Sequence, residues 1–320
     1  MRTALRRRLL VLCYHAVIPD DFPTDSYRTR GATRASDFRR QLETAARLFH
    51  HVSAYDVLSH VIDGNPLPSK PILITFDDGF RNNLTVAAPI MERLGIPAII
   101  HITTGHIGRE DLLWPQELDE RIISWKHAWL PMPQDQPDTR LPADQEGRWS
   151  LVDQIRDLCK RLPQCDRIHY LHRLRDAQLS PLEDWRRELY GFLSWDEVRE
   201  LDRRGIAIGS HTVTHPILAS LARHELIREL HDSKAQIESE LNKPCPWIAY
   251  PNGGVADFSP TVVAEAREAG YKIAFTLTEM RNARSLDAMT ISRICIPGQL
   301  SDNGFHARAN GLLSYLARHW

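Results

Sequence analysis

The sequence predicts an α/β fold: a distorted (β/α) barrel of about seven parallel strands carrying a helical insert. Three observations lead there. Short apolar runs rich in β-branched residues alternate with helical patterns, each run ends in a polar cluster, and the rhythm breaks once, between about residues 110 and 192. The runs cover residues 9–14, 71–76, 97–102, 205–209, 247–250, 272–278 and 291–296, and their continuous apolar character fits strands buried on both faces. Residues 37–50 place Phe38, Leu42, Ala45, Ala46 and Phe49 at helical spacing. Ser194 with Glu197 forms a capping box, and the helix it opens stops near Gly205. Residues 221–241 form a long amphipathic helix ended by Asn242 and Pro244. Ser259 caps a further helix with Pro260 at its first position and Gly270 at its end.

The expected organisation is one domain over residues 1–320, with a mostly helical subdomain over 110–192 inserted in it. Five of the eight Trp fall in the insert. They read either as core residues under amphipathic helices or as a platform for sugar rings.

The charge balance limits the function classes. Forty Lys and Arg oppose 41 Asp and Glu, so no basic excess exists to neutralise nucleic-acid phosphates. Arg6-Arg7-Arg8 is read as a solvated start, against the weaker reading of contact with anionic lipid. The apolar run behind it is shorter than a secretory signal needs, and no stretch reaches the roughly 20 residues of a membrane span. The expectation is a cytoplasmic protein with reduced cysteines, since Cys13, Cys159, Cys165, Cys245 and Cys295 form no CxxC pair. Cys159 and Cys165 are the pair left open to a disulfide.

Two clusters at predicted strand ends carry chemistry. The first is Thr75-Phe76-Asp77-Asp78-Gly79. Adjacent strand residues point to opposite faces, so Asp77 and Asp78 serve one site only where the strand ends and the chain turns. The pair reads either as a turn capping the next helix or as a metal ligand beside a general base. The second cluster is Ser210-His211-Thr212-Val213-Thr214-His215-Pro216. Its i, i+4 His pair suits metal ligation, and Pro216 biases His215 away from helical geometry, so a loop is expected. Together the clusters supply one carboxylate and two imidazoles, which leaves a metal position open for water, with Asp77 available as a base.

These motifs, with Ala249-Tyr250-Pro251-Asn252-Gly253 after a later strand, resemble the NodB-homology polysaccharide deacetylases, carbohydrate esterase family 4. The resemblance runs from about residue 8 to 300, apart from most of the insert. It implies a distorted barrel, a divalent metal (most often Zn2+) and hydrolytic removal of acetyl from an N-acetylated sugar or glycan. It matches Asp77 to the general base and Asp78, His211 and His215 to the metal ligands.

The sequence departs from that family in two places. The usual Arg-x-Pro-aromatic motif has Ala249 at the Arg position and Asn252 at the aromatic one. The Asn252 backbone N–H still serves as an oxyanion donor, Tyr250 is either a substrate contact or a core aromatic, and Arg293 is the candidate to replace the missing Arg. The late Leu-x-His motif that supplies the general acid is absent. His15, ending the first strand, is the candidate acid, with His306 as its rival; a His satisfied by backbone bonds is the plain alternative. His101 and His106 follow a strand and read as structural, against the weaker reading that they line the mouth. The competing functions are hydrolysis of a non-sugar linear or cyclic amide at the same centre, and a degenerate glycan-binding module.

Overall fold

The structure is a computed structural model that describes residues 8–23, 29–134, 136–177, 184–280, 282–283, 285–298 and 300–309. Arg6 and Arg7 of the basic start lie outside the described residues.

Among the described residues nine strands form one sheet, in chain order β1 (Leu10–Tyr14), β2 (His50–His51), β3 (Pro71–Phe76), β4 (Ala98–Ile102), β5 (Ala207–Ser210), β6 (Trp247–Ala249), β7 (Ile273–Thr276), β8 (Ile291–Ser292) and β9 (Ile294–Cys295). Across the sheet the order is β8-β7-β6-β5-β4-β3-β1-β9, with β2 paired to the start of β3, and every pairing is parallel. The edge strands β8 and β9 are consecutive in sequence, and Arg293 alone separates them. A single residue spans only a few ångströms, so the sheet must curl until its two edges nearly meet. That is the expected barrel, nearly closed at a seam marked by Arg293.

The count of about seven strands needs correction. The run expected over 291–296 breaks at Arg293 into two strands belonging to opposite edges, and two-residue β2 carries too little pattern to read. Nor is the insert free of strands. Trp129–Leu130 and Thr139–Arg140 make a short antiparallel pair, and Ala16–Ile18 pairs in parallel with Ala32–Arg34 outside the barrel.

Helices cover the sheet: α1 (Ala35–Leu48), α2 (Ala54–Asp63), α3 (Ala88–Leu94), α8 (Trp195–Arg203), α9 (Arg223–Leu241), α10 (Pro260–Glu268) and α11 (Asp302–Ala309). Their starts and stops follow local chemistry. The Glu197 N–H donates to Ser194 Oγ at 3.3 Å and the Ser194 N–H to Glu197 Oε2 at 2.8 Å, completing the box at α8. Asn242 ends α9 in left-handed geometry at φ 52°. Between β4 and β5 run α4 (Trp114–Ile123), α5 (Gln145–Arg161), α6 (Gln164–Ala177) and α7 (Asp184–Tyr190).

The barrel core is aliphatic along β1, β3 and β4, where Leu12, Leu73, Ile74, Ile99 and Ile100 have no exposure. The insert has its own cluster, built on Trp114, Leu118, Trp125, Trp149, Val152 and Tyr170 and joined by Ile217 from the loop after β5. Three of the insert's Trp are therefore core residues, whereas Trp129 is 58% exposed. All five Cys are free, including Cys159 and Cys165. Among the described residues, no helix is long and apolar enough to cross a membrane.

Candidate active site

The C-terminal ends of β1, β3, β4, β5 and β6 point to one mouth, where parallel barrels collect polar groups. β3 delivers Asp77 and Asp78 to it. The Asp77 N–H still pairs with the Tyr14 carbonyl at 3.1 Å, and then the chain turns: Asp78 has φ 75° and Gly79 φ 84°. This left-handed turn brings both carboxylates to one side. A Cβ at Gly79 would also lie 3.0 Å from the Ile102 side chain, so glycine is required twice over there.

Asp77 is 1% exposed and fully engaged. The Arg293 guanidinium grips it through both nitrogens, Nη1 to Oδ1 at 2.6 Å and Nη2 to Oδ2 at 2.7 Å. His101 Nδ1 lies 3.1 Å from Oδ1 and 3.2 Å from the Phe76 carbonyl. The Cys13 thiol donates to Oδ2 at 3.4 Å. Burial alone would raise the Asp77 pKa, but the charge of Arg293, helped by His211 and His101, holds it well below the usual carboxylate range. Arg293 is itself completely buried, and its Nη1 also reaches Thr75 Oγ1 at 3.2 Å.

Asp78 has opposite surroundings. Its Oδ1 stands 3.6 Å from both His211 Nε2 and His215 Nε2. Burial, then repulsion from Asp77, pushes its pKa well above the usual value. Both imidazoles are pushed the other way by burial, His211 to about 4, so they are neutral at pH 7. The His211 Nδ1–H donates to the Ala249 carbonyl at 2.8 Å, which leaves Nε2 as a lone-pair donor facing Asp78. One ligand atom each from Asp78, His211 and His215 lies within 4.8 Å of the others. A buried carboxylate that resists ionising beside two neutral imidazoles is a donor set a divalent cation satisfies, so these residues can hold a metal.

A second grouping within the same reach is Cys13, His15 and Asp77. It is a poor cation site, because Arg293 already takes both Asp77 oxygens.

The loop carrying the two His residues is strained and tied down. Thr212 has φ 70° and His215 φ 58°, left-handed for non-glycine residues. The prediction of a loop rather than a helix agrees with this, but His215 is left-handed rather than extended. Its N–H bonds to Thr212 Oγ1 at 3.1 Å and its carbonyl accepts from Trp114 Nε1 at 3.1 Å, which hold that geometry. Glu229 on α9 accepts from the Val213 and Thr214 N–H groups at 2.7 and 2.9 Å. Backbone bonds from Thr104 and Gly105 to the Thr212 and Val213 carbonyls clamp the other side.

His15 follows β1 into the same mouth, half-buried, with its carbonyl accepting from Asn83 Nδ2 at 2.7 Å. Burial lowers its pKa, against the pull of Asp77. His306, its rival, is exposed on α11 and belongs to neither ligand grouping. Asn252 is left-handed at φ 57°, in the loop after β6. Tyr250 needs correction as a substrate contact: it has no exposure, its hydroxyl donates to the Met289 carbonyl at 3.3 Å, and its ring stacks on Phe258. It is a core aromatic.

Sequence reasoning favoured a structural role for His101 and singled out nothing at Glu229. A signal for His101 exists at Gly209 on the neighbouring strand. A Cβ there would sit 2.5 Å from the His101 ring, so that glycine makes room for it. Glu229 carries no local signal, since an acidic residue on an amphipathic helix reads as solvated. His106 stays at the edge, half-buried, its Nδ1 3.3 Å from Asp111 Oδ1.

Solved structures share this fold over nearly the whole chain. The Streptococcus pyogenes deacetylase PplD, solved with acetate, superposes with a TM-score of 0.60 at 17% identity, covering 97% of this chain and 98% of that one. IcaB from Ammonifex degensii gives 0.60 at 19% identity, covering 95% and 96%. A de-N-acetylase from Aggregatibacter actinomycetemcomitans gives 0.58 at 16% identity, covering 94% and 99%. At these identities the likeness is one of fold. By sequence, YxkH of Bacillus subtilis is 24% identical over 115 residues, which span 36% of this chain and only 40% of that relative. The sequence profile described as "Polysaccharide deacetylase" matches residues 64–274. That stretch is more than half of the chain and contains Asp77, Asp78, His211, His215 and Asn252, while His15 and Arg293 fall outside it. By fold and by sequence, the chain belongs to the polysaccharide deacetylase family.

Proposed function

We propose that this protein is a metal-dependent amidohydrolase that removes N-acetyl groups from an N-acetylated glycan or glycan precursor. One observation carries this reading: two adjacent buried carboxylates have opposite partners, Asp77 gripped by the Arg293 guanidinium and Asp78 facing two imidazoles. Asp78, His211 and His215 would hold the cation, and their N/O donor set suits zinc. When bound, such a cation polarises the amide carbonyl and lowers the pKa of water beside it.

The chain's own groups do the rest. Asp77 accepts the proton of the attacking water, and Arg293 keeps it ionised and oriented for that role. Water oxygen adds to the carbonyl carbon, and the developing oxyanion is met by the Asn252 N–H. The C–N bond then breaks, giving acetate and a free amine. A leaving amine needs a proton, and His15 at the mouth supplies it.

The test is acetate release from N-acetylglucosamine oligomers by zinc-loaded protein, beside a panel of non-sugar linear amides and cyclic ureides. Release from the oligomers is expected. Turnover of the non-sugar amides alone would move the substrate class, and metal binding with no hydrolysis of any of them would leave a glycan-binding module.

A further inference from the structure

A cavity of about 160 Å3 lies between the loop bearing His215 and the insert. Thr214 and Pro216, which flank His215, line it on one side. One face of α6 lines it on the other, through Gln164, Arg167, Ile168, Leu171 and Arg175 at helical spacing. Trp114 ties the two sides together, since its Nε1–H holds the His215 carbonyl and the Arg167 guanidinium lies 4.9 Å over its ring.

Arg167 is the unusual group here. It is 2% exposed, yet among the described residues no carboxylate pairs with it, and its side-chain hydrogen bond goes to the Cys159 carbonyl at 3.4 Å. The carboxylates lining the cavity have partners other than Arg167. Glu117 pairs with Arg121 at 2.8 Å and Arg175 at 2.6 Å, and Asp111 with His106 at 3.3 Å and Arg109 at 3.5 Å. A buried guanidinium without a counter-ion is costly to a folded chain. Gln164 Oε1 is likewise buried without a partner. The cavity therefore offers a planar cation, a hydroxyl acceptor and an aromatic wall, all beside the candidate metal loop.

We propose that this cavity seats an anionic substituent of the glycan, a carboxylate or a phosphate, next to the sugar whose amide is cut. The proposal rests on the deacetylase reading above and narrows its substrate to acidic glycans. Both anions match the fork of Arg167, which pairs with either through two parallel N–H donors. The anion supplies the missing counter-charge, and Gln164 takes a hydroxyl of the same sugar.

The test is calorimetric binding of glucuronate, glucose 6-phosphate and neutral glucose to the zinc-loaded protein. One acidic sugar is expected to bind measurably tighter than glucose, and which one it is tells carboxylate from phosphate. Arg167→Gln should weaken that binding ~10-fold or more, the usual scale for a lost charge-assisted hydrogen bond. Ile168→Glu is the companion variant. Ile168 is 45% exposed, so the fold tolerates the change while a carboxylate is added at the cavity rim. It should weaken the acidic sugar by a similar factor. Equal binding of glucose and both acids overturns the proposal. So does acid binding that survives both substitutions, as binding at the metal centre would. These readouts need no turnover. Arg167-dependent binding without acetate release would sink the deacetylase reading and leave the anion pocket standing. With turnover, the kcat/KM ratio of uronate-containing to neutral N-acetylated oligomers should exceed one and fall toward one in Arg167→Gln.

Discussion

Asp77 and Asp78 are neighbours in the chain, but the regions around them are built in different ways. The Asp77 side is made of strands: Arg293 from the barrel seam, His101 from β4 and Cys13 from β1, all buried and all fixed by the sheet. The Asp78 side is made of loop: His211 and His215 on a segment left-handed at Thr212 and His215 and pinned by Glu229 and Trp114. The difference separates two jobs for one residue type. On the proposed reading, the carboxylate that acts as base is given a rigid counter-charge, and the one that would hold a cation is set beside neutral imidazoles on a pinned loop.

The sharpest way to break this comparison is to remove one side at a time. His211→Ala should lose both metal, measured by elemental analysis, and acetate release, down to background. Asp77→Asn should keep its metal while kcat falls by ~10³-fold. If Asp77→Asn also empties the site, the two sides are not separable.

A smaller effect probes Arg293. Lys at that position retains charge but loses the two-pronged grip, so Arg293→Lys should lower kcat by ~10²-fold with little change in KM. The pH profile gives its signature. A general base works only when deprotonated, so its activity is lost as pH falls through its pKa. With Arg293 in place, Asp77 is held well below the usual carboxylate range, so its acid limb lies below that range too. Weakening the grip should move that limb upward into the measurable range. Full removal, Arg293→Ala, should also cost about 3–5 kcal/mol in denaturant unfolding, because a buried carboxylate is left unpaired.

His15→Asn should reduce kcat about tenfold to 100-fold. An acid works only when protonated, and burial keeps the His15 pKa below 6.5, so wild-type activity should fall as pH rises through that lower value. The variant should lack this basic limb; an unchanged profile assigns the proton to another group. The smallest effect is expected at Glu229→Gln. It should weaken metal affinity about tenfold by loosening the loop, while Asp77 chemistry at saturating metal is spared.

The fold was largely legible, because parallel strands buried on both faces leave unbroken runs such as residues 71–76. The edges were not, since two-residue strands carry no periodicity and β8 and β9 read as one element. The clusters at residues 77–78 and 211–215, which the structure brings together, were visible because each is contiguous. Arg293 emerged only as a candidate, because its partner lies 216 residues away and no local pattern records that meeting. The role offered for Tyr250 failed for a related reason: a strand-end aromatic looks the same in sequence whether its ring faces the mouth or, as here, the core.

The position of the seam has a consequence for synthesis. A chain emerging from the ribosome has both aspartates and both histidines of the site by residue 215, yet Arg293 arrives with the last two barrel strands. Until then Asp77 has no guanidinium to hold it ionised, and β1 lacks its neighbour β9. The charge that holds the proposed base is thus supplied only by the strands that bring the two sheet edges together, and a chain stopped at residue 290 would carry both motifs without Arg293.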